Sequence, residues 1–436
     1  MHSGMKRLHP LVLFLFLCQA LPAFLQDSCA AAPQANYDES KTGEYTLPDP
    51  LKFSDGSLVK KRKDWVRRRA EILDLFRCEV FGRAPAGLPK PTFEVTESDS
   101  RALDGKATRK QVTIWLLATN GGPKLDLLLY IPNGLKRPAP AFIGLNFGGN
   151  HTVTKDPAVH VTKSYVRSQF GKNGVANEES RGLQTSRWPI EKIIDRGYAL
   201  ATAYYGDIEP DYDGGWTNGI RGAVASQGAA TAFSPDAWGA ISAWAWGLSR
   251  AVDYLQTDPQ IDPRRVAVVG HSRLGKTALW AGAQDERFGV VISNNSGEGG
   301  AALARRLYGE TTQRINTSFP HWFCGNYKKY NANEAALPVD AHMLIALSAP
   351  RRVYVASAEE DRWADPKGEF LAAKHAGPVY RLFGLRGLPS EEMPPVNKSV
   401  GKAVGYHIRT GGHDIRDFDW DQYLDFADRN LPARKS

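Results

Sequence analysis

Cysteine is scarce, with four in 436 residues. Two of them, Cys18 and Cys29, lie in the N-terminal stretch read below as a leader, so Cys78 and Cys324 are the pair that a mature chain keeps. That excludes a disulfide-dense scaffold. The pair can form one bridge in an oxidising compartment or stay buried as thiols. No CxxC and no Cys/His cluster at zinc spacing occurs. A catalytic metal is therefore not expected, and no cofactor is expected. Long apolar runs are lacking too. The one that stands out, Leu11-Val12-Leu13-Phe14-Leu15-Phe16-Leu17, is too short to cross a bilayer comfortably. Lys6 and Arg7 precede it and Ala30-Ala31-Ala32 follow it, which is the layout of a signal peptide over residues 1–32. Cleavage falls after Ala23 or near Ala31. Cys29 as a lipid anchor is set aside, because Gln26-Asp27-Ser28 suit it poorly. A secreted or periplasmic chain without a membrane span is expected. Blocks of one charge are also rare. The net charge is +8, but both signs are interspersed. The two basic clusters, Lys60-Lys61-Arg62-Lys63 and Arg67-Arg68-Arg69, sit in an amphipathic helical stretch and read as its solvated face. Nucleic acid is not an expected partner. A mild basic excess suits an acidic substrate without demanding one.

What is present is a large apolar fraction, 42% of residues, without internal repeats. Residues 33–52, rich in Pro, Asp, Ser and Gly, read as an extended lead-in, and 53–436 as the catalytic domain. Trp65 to Phe81 has helical spacing. Gln111 to Leu116 and Leu125 to Pro132 read as a hairpin, followed by a buried strand from Pro138 to Phe147 that ends in Gly148-Gly149. A helix is expected over Trp188 to Arg196, and a strand over Tyr198 to Tyr205. Residues 206–235 read as a long loop, and Ala237 to Leu255 as an apolar helix. Further strands are expected at Phe288 to Ser293 and Arg352 to Ser357, and a last helix from about Trp420 to Asn430. Strands alternating with helices predict one α/β domain on a mostly parallel sheet, in an α/β/α sandwich. Residues 299–350 form a long segment between strands, read as pocket wall or as a cover for the sheet edge.

The chemistry centres on Val266-Ala267-Val268-Val269-Gly270-His271-Ser272-Arg273-Leu274-Gly275-Lys276. An apolar strand stops at a glycine, a serine follows, and a helical stretch begins at once. That is the strand, sharp turn and helix that lift a hydroxyl above a parallel sheet. The usual Gly-x-Ser-x-Gly spacing is broken, because the second glycine comes one residue late. A serine hydroxyl needs a base, and a histidine base needs an acceptor to fix its tautomer. His413, in Thr410-Gly411-Gly412-His413-Asp414 before the last helix, stands where an α/β-hydrolase carries its base. The acid falls after the strand Val353 to Ser357. Asp361 has the expected position, with Glu359, Glu360 and Asp365 as alternatives. The backbone N–H after Ser272 is an expected oxyanion donor, and the Arg273 guanidinium can aid it. Lys276, one helical turn beyond Ser272, can reach a bound ligand.

The segment Gly270 to Lys276 resembles the Gly-x-Ser-Arg-x-Gly-Lys signature of the glucuronoyl esterases, carbohydrate esterase family 15. Further matching stretches are Arg187-Trp188-Pro189, Tyr204-Tyr205-Gly206-Asp207, Gly299-Gly300-Ala301-Ala302, Ile315 to Cys324, Asp361-Arg362-Trp363-Ala364-Asp365-Pro366 and Gly412-His413. The resemblance covers nearly the whole mature chain and is closer to the bacterial branch than to the fungal one. It implies a serine carboxylesterase of the α/β-hydrolase fold, acting on esters that join 4-O-methyl-glucuronic acid of xylan to lignin alcohols. It implies Ser272 as nucleophile, His413 as base, Arg273 as oxyanion stabiliser, and Lys276, Glu310 and Trp363 as contacts to the sugar. Many members carry a glutamate acid just after the strand that follows the nucleophile helix. Asn295 occupies that position here, so the acid is expected at Asp361, with Asn295 contributing little. Glu298 is expected as a solvated loop residue, with a second acidic neighbour of the site as the alternative. A monomer is expected. The competing readings are a broad carbohydrate (acetyl) esterase and a non-catalytic carbohydrate-binding homologue.

Overall fold

The computed structural model describes residues 1–2, 34–118, 121–226 and 234–431. The expected leader therefore lies almost wholly outside the described residues. The described chain folds around a nine-stranded sheet. Its strands are β1 (Thr92–Ala102), β2 (Ala107–Trp115), β3 (Lys124–Pro132), β4 (Ala139–Asn146), β7 (Ala199–Tyr204), β8 (Ile261–His271), β9 (Phe288–Asn294), β10 (Arg352–Ala358) and β11 (Val404–Arg409). The remaining two, β5 (Gly171–Lys172) and β6 (Val175–Ala176), form a separate small hairpin. The large sheet runs β1-β2-β3-β7-β4-β8-β9-β10-β11. From β7 to β11 every pairing is parallel, and β1, β2 and β3 add an antiparallel end.

The central strands are continuous apolar runs because both faces are covered. Along β8, Val266 and Val268 pack into one layer while Ala267 and Val269 pack into the other. The helices Ala240–Leu255 and Arg273–Gln284 supply the first layer through Trp244, Leu248, Leu279 and Trp280. The helix Asp417–Asn430 supplies the second through Trp420, Tyr423 and Phe426. Two of the buried indoles are bonded: Trp280 Nε1 donates to Ser242 Oγ at 3.0 Å and Trp244 Nε1 to the Glu209 carbonyl at 3.0 Å.

Several expectations change. Residues 206–226 are not a plain loop, since they carry helices Tyr205–Ile208 and Ile220–Ser226 joined through a 3-10 turn at Gly215–Asn218. The part of that stretch over 227–233 lies outside the described residues. Strands β1 and β11 have no counterpart in the sequence reading. β1 is a mostly exposed edge strand of Thr, Glu, Asp and Ser, without a period-two apolar pattern. β11 carries His407 and Arg409, which are buried because Asp419 pairs with both, at 2.8 and 2.7 Å. Residues 299–350 form short helices, including Thr312–Ser318 and Ala341–Ala346. Cys78 and Cys324 are both free thiols. Burial pushes the Cys324 thiol up to about 11.

Candidate active site

The turn between β8 and the helix Arg273–Gln284 is strained where the chemistry requires it. Ser272 has φ 58° and ψ −130°, a conformation that costs an L-residue roughly 1–3 kcal/mol. The neighbourhood permits it. A Cβ on Gly270 would overlap the Leu274 carbonyl oxygen. A Cβ on Gly275 would sit 3.0 Å from Ser296 Cβ and 3.1 Å from the Gly270 oxygen. The late glycine is thus a second close approach, where the first turn of the helix crosses the loop after β9. The Ser272 N–H donates to the Asn294 carbonyl at 2.9 Å, which anchors the elbow to β9.

His413 reaches this hydroxyl, and Asp361 reaches His413, from beyond the ends of two other parallel strands. His413 Nε2 lies 2.8 Å from Ser272 Oγ, and His413 Nδ1 lies 2.6 Å from Asp361 Oδ2. The Asp361 side chain is buried, whereas that of His413 is 43% exposed, so the imidazole opens toward solvent. The backbone places Asp361 at the head of a 3-10 turn, but its carboxylate makes no cap bond and turns to the histidine instead. Its rivals fall away. Glu359 and Glu360 are exposed, and Asp365 pairs with buried Arg306 at 2.9 Å. Asn295, fully buried at φ 47°, donates Nδ2 to Asp361 Oδ2 at 2.7 Å. Asn295, from which little was expected, thus lies in direct hydrogen-bond contact with Asp361.

Beside His413 lies His271, the two ring centroids 4.6 Å apart. Its Nδ1 is 2.7 Å from Asn294 Oδ1, and burial holds it well below the usual imidazole range, so it stays neutral. A second cation beside His413 is thereby avoided.

Arg273 lies against the Trp322 ring, 4.7 Å from its centroid, and Trp322 in turn stacks on Phe319 at 3.8 Å. Its guanidinium is ion-paired with Asp211. Asp211 also accepts from His321 at 2.9 Å, Trp322 Nε1 at 2.7 Å and Arg167 at 2.9 Å. Burial alone would raise the Asp211 carboxyl. The hydrogen bond from His321 and the charges of Arg273 and Arg167 outweigh it and hold the group well below the carboxylate range. An ionised Asp211 fixes the position and plane of the Arg273 guanidinium, which a surface arginine would leave free to rotate. The sequence reading missed Asp211, because it lies 62 residues from Arg273 in a stretch read as loop.

Lys276, Glu310 and Trp363 do come together. Lys276 is buried, with Nζ 2.5 Å from the Ser296 carbonyl and 3.6 Å from Glu310 Oε2. Burial lowers the lysine, while the Glu310 charge opposes that shift. Burial raises Glu310, while Lys276 and a hydrogen bond from Trp363 oppose it. Trp363 accepts the Glu310 N–H on its carbonyl at 3.0 Å and packs under Arg314, 5.2 Å from its ring. Glu298 corrects an expectation. It is buried, accepts from Tyr327 OH at 2.5 Å and Thr312 Oγ1 at 2.8 Å, and burial pushes its carboxyl up to about 8. Glu369, also unforeseen, accepts the backbone N–H groups of Ser296 at 2.7 Å and Gly297 at 3.0 Å. The loop that carries Asn295 is gripped by Lys276 on its carbonyl side and by Glu369 on its amide side.

The chain is similar to known proteins in sequence and fold. Residues 231–384 match the model of a family described as "Glucuronyl esterase, fungi". A promiscuous CE15 esterase from a marine bacterial metagenome is 50% identical, with a TM-score of 0.86 over 91% of this chain and 100% of that one. A glucuronoyl esterase from Solibacter usitatus is 51% identical, with a TM-score of 0.84 over 90% of this chain and 99% of that one. A 4-O-methyl-glucuronoyl methylesterase of Phanerochaete chrysosporium is 30% identical over 78% of this chain and 62% of its own length. Identity at that level over nine-tenths of the chain, on one α/β-hydrolase fold, places this protein in carbohydrate esterase family 15, the glucuronoyl esterases, as a carboxylic ester hydrolase.

Proposed function

We propose that this protein cleaves the ester between 4-O-methyl-D-glucuronic acid of glucuronoxylan and lignin alcohols, through an acyl-enzyme on Ser272. The observation that carries the proposal is the line Asp361–His413–Ser272, at 2.6 and 2.8 Å, standing on a strained elbow. His413 Nε2 takes the Ser272 proton as Oγ bonds to the ester carbon. Asp361 accepts from Nδ1 and stabilises the imidazolium. The oxyanion is met by backbone N–H groups at the helix start and by Arg273. Collapse breaks the bond to the alcohol, which leaves with the proton from His413. Water, deprotonated by the same nitrogen, then attacks the acyl carbon; the bond to Ser272 Oγ breaks as His413 returns that proton to the oxygen, releasing the uronic acid. Lys276, Glu310 and Trp363 offer a cation, a carboxylate and an indole for the sugar hydroxyls, beside the reacting carbonyl.

The wider setting follows the sequence. A leader over residues 1–32 directs export to the periplasm or medium, and the remainder works as a monomer. No helix among the described residues is long and apolar enough to cross a membrane.

A second reading, a broad esterase, is favoured by the relative described as promiscuous at 50% identity. The test compares benzyl glucuronate with benzyl acetate. A kcat/KM favouring the glucuronate, lost in Ser272→Ala, is expected. A clear preference for the acetate would overturn the substrate assignment.

A further inference from the structure

The residues ahead of the catalytic body grip the two segments that carry Glu310 and Trp363. The Asn36 carbonyl accepts the Gly309 N–H at 2.8 Å, and Asn36 Nδ2 donates to the Leu307 carbonyl at 3.2 Å. The Tyr37 carbonyl accepts from Arg362. The Arg362 guanidinium lies 5.0 Å from the Tyr37 ring centroid and 5.9 Å from that of Tyr308, while its Nε donates to Tyr308 OH at 3.0 Å. Tyr37 and Tyr308 meet edge to face at 6.0 Å. Glu39 pairs with Arg306, a buried cation whose other partner is Asp365 at 2.9 Å. Its bond to Lys367 is exposed and contributes little.

Each anchor falls within a few residues of Glu310 or Trp363. Those two residues are themselves joined by the Glu310 N–H and the Trp363 carbonyl. Gly309 has φ 65°, and a Cβ there would run into the Trp363 carbonyl, so the two segments touch backbone to backbone. The segment Asn36–Glu39 backs this wall through the contacts just given.

We infer that Asn36–Glu39 is a specificity strap, a positioning element that holds Glu310 and Trp363 where the sugar part of the substrate meets them. The inference rests on the proposed role of Glu310 and Trp363. The strap touches neither Ser272 nor His413, so it acts on binding in ground state and transition state alike. Loosening such a contact raises KM and leaves kcat in place.

The test uses the mature chain and benzyl glucuronate. In Tyr37→Ala/Glu39→Ala, KM rises about five- to tenfold and kcat stays within about twofold of the parent. Tyr37→Phe, which keeps the ring between Arg362 and Tyr308, retains the parental KM. A loss of folded protein would lower apparent kcat without moving KM, so the split separates a strap from a merely stabilising tail. An unchanged KM in the double variant, or a fall in kcat with KM fixed, overturns the inference. Glu310→Gln, assayed beside it, locates the failure. If it raises KM while the strap variant does not, the strap alone is wrong. If Glu310→Gln leaves KM unchanged, the sugar-contact reading falls and the strap with it.

Discussion

Asn295 donates its side-chain amide to the same oxygen of Asp361 that His413 approaches, at 2.7 and 2.6 Å. The acid is therefore held by two donors, and its position depends on a residue that holds no charge itself. Asp361→Asn is expected to lower kcat by about 10⁴, because the amide cannot stabilise the imidazolium and favours the wrong tautomer. Asn295→Ala removes one hydrogen bond to a carboxylate, worth about 1.5–3 kcal/mol, and should lower kcat about ten- to hundredfold. Steady-state kinetics of both on benzyl glucuronate decide it. Parental kcat in Asn295→Ala would mean that the amide is a bystander.

Arg273 is held by Asp211 and by the face of Trp322. Arg273→Ala should cost kcat about 10²–10³, the usual loss for an oxyanion donor, with KM nearly unchanged. Arg273→Lys should not restore it, since an ammonium has no planar fork to meet Asp211 while lying on the indole. Full activity in the lysine variant would reduce Arg273 to a nearby positive charge.

The elbow makes a stability prediction. Gly275→Ala places a Cβ 3.0–3.2 Å from three atoms of the elbow and the β9 loop, and should cost about 1–3 kcal/mol in urea unfolding. Gly270→Ala, which meets the backbone of Leu274, should cost more. A neutral Gly275→Ala would show that the late glycine serves no packing need.

Glu298 gives the stability of the protein a pH dependence. Unfolded, the carboxyl ionises near its ordinary 4.5, and folded it is pushed up to about 8 by burial. Between those values the native state keeps a proton that the unfolded state has lost, so stability falls as pH rises through the window. Glu369, also raised to about 8 by burial, adds to the same slope. Glu298→Gln keeps an acceptor oxygen for Tyr327 and Thr312 and removes the titration. Its Tm should fall less than the parent's between about pH 5 and pH 8. Parallel curves for the two proteins would contradict the buried-acid account.

Local features were legible before any coordinates. The run from Val266 to Lys276 specifies strand, turn and helix among adjacent residues, and the structure builds them there. His413 could be picked out because a glycine-rich loop before the last helix is a positional signal. The apolar strands β4, β7, β8, β9 and β10 announced themselves because burial on both faces demands continuous hydrophobic runs. β11 was invisible for the opposite reason, since its buried His407 and Arg409 need Asp419 to be tolerated.

The sequence by itself determined the α/β class, the serine elbow, the histidine that meets it and the family, all of which are written in contiguous residues or recurrent motifs. Tertiary structure decided which of four clustered acids faces His413, that Asn295 holds it, that Asp211 fixes Arg273, and that Glu298 is buried rather than solvated. Each of those outcomes turns on a hydrogen bond or ion pair between distant segments, or on how much water the fold leaves at one carboxyl. Charge pairing and desolvation act through space over a few ångströms, and separation along the chain carries no record of them.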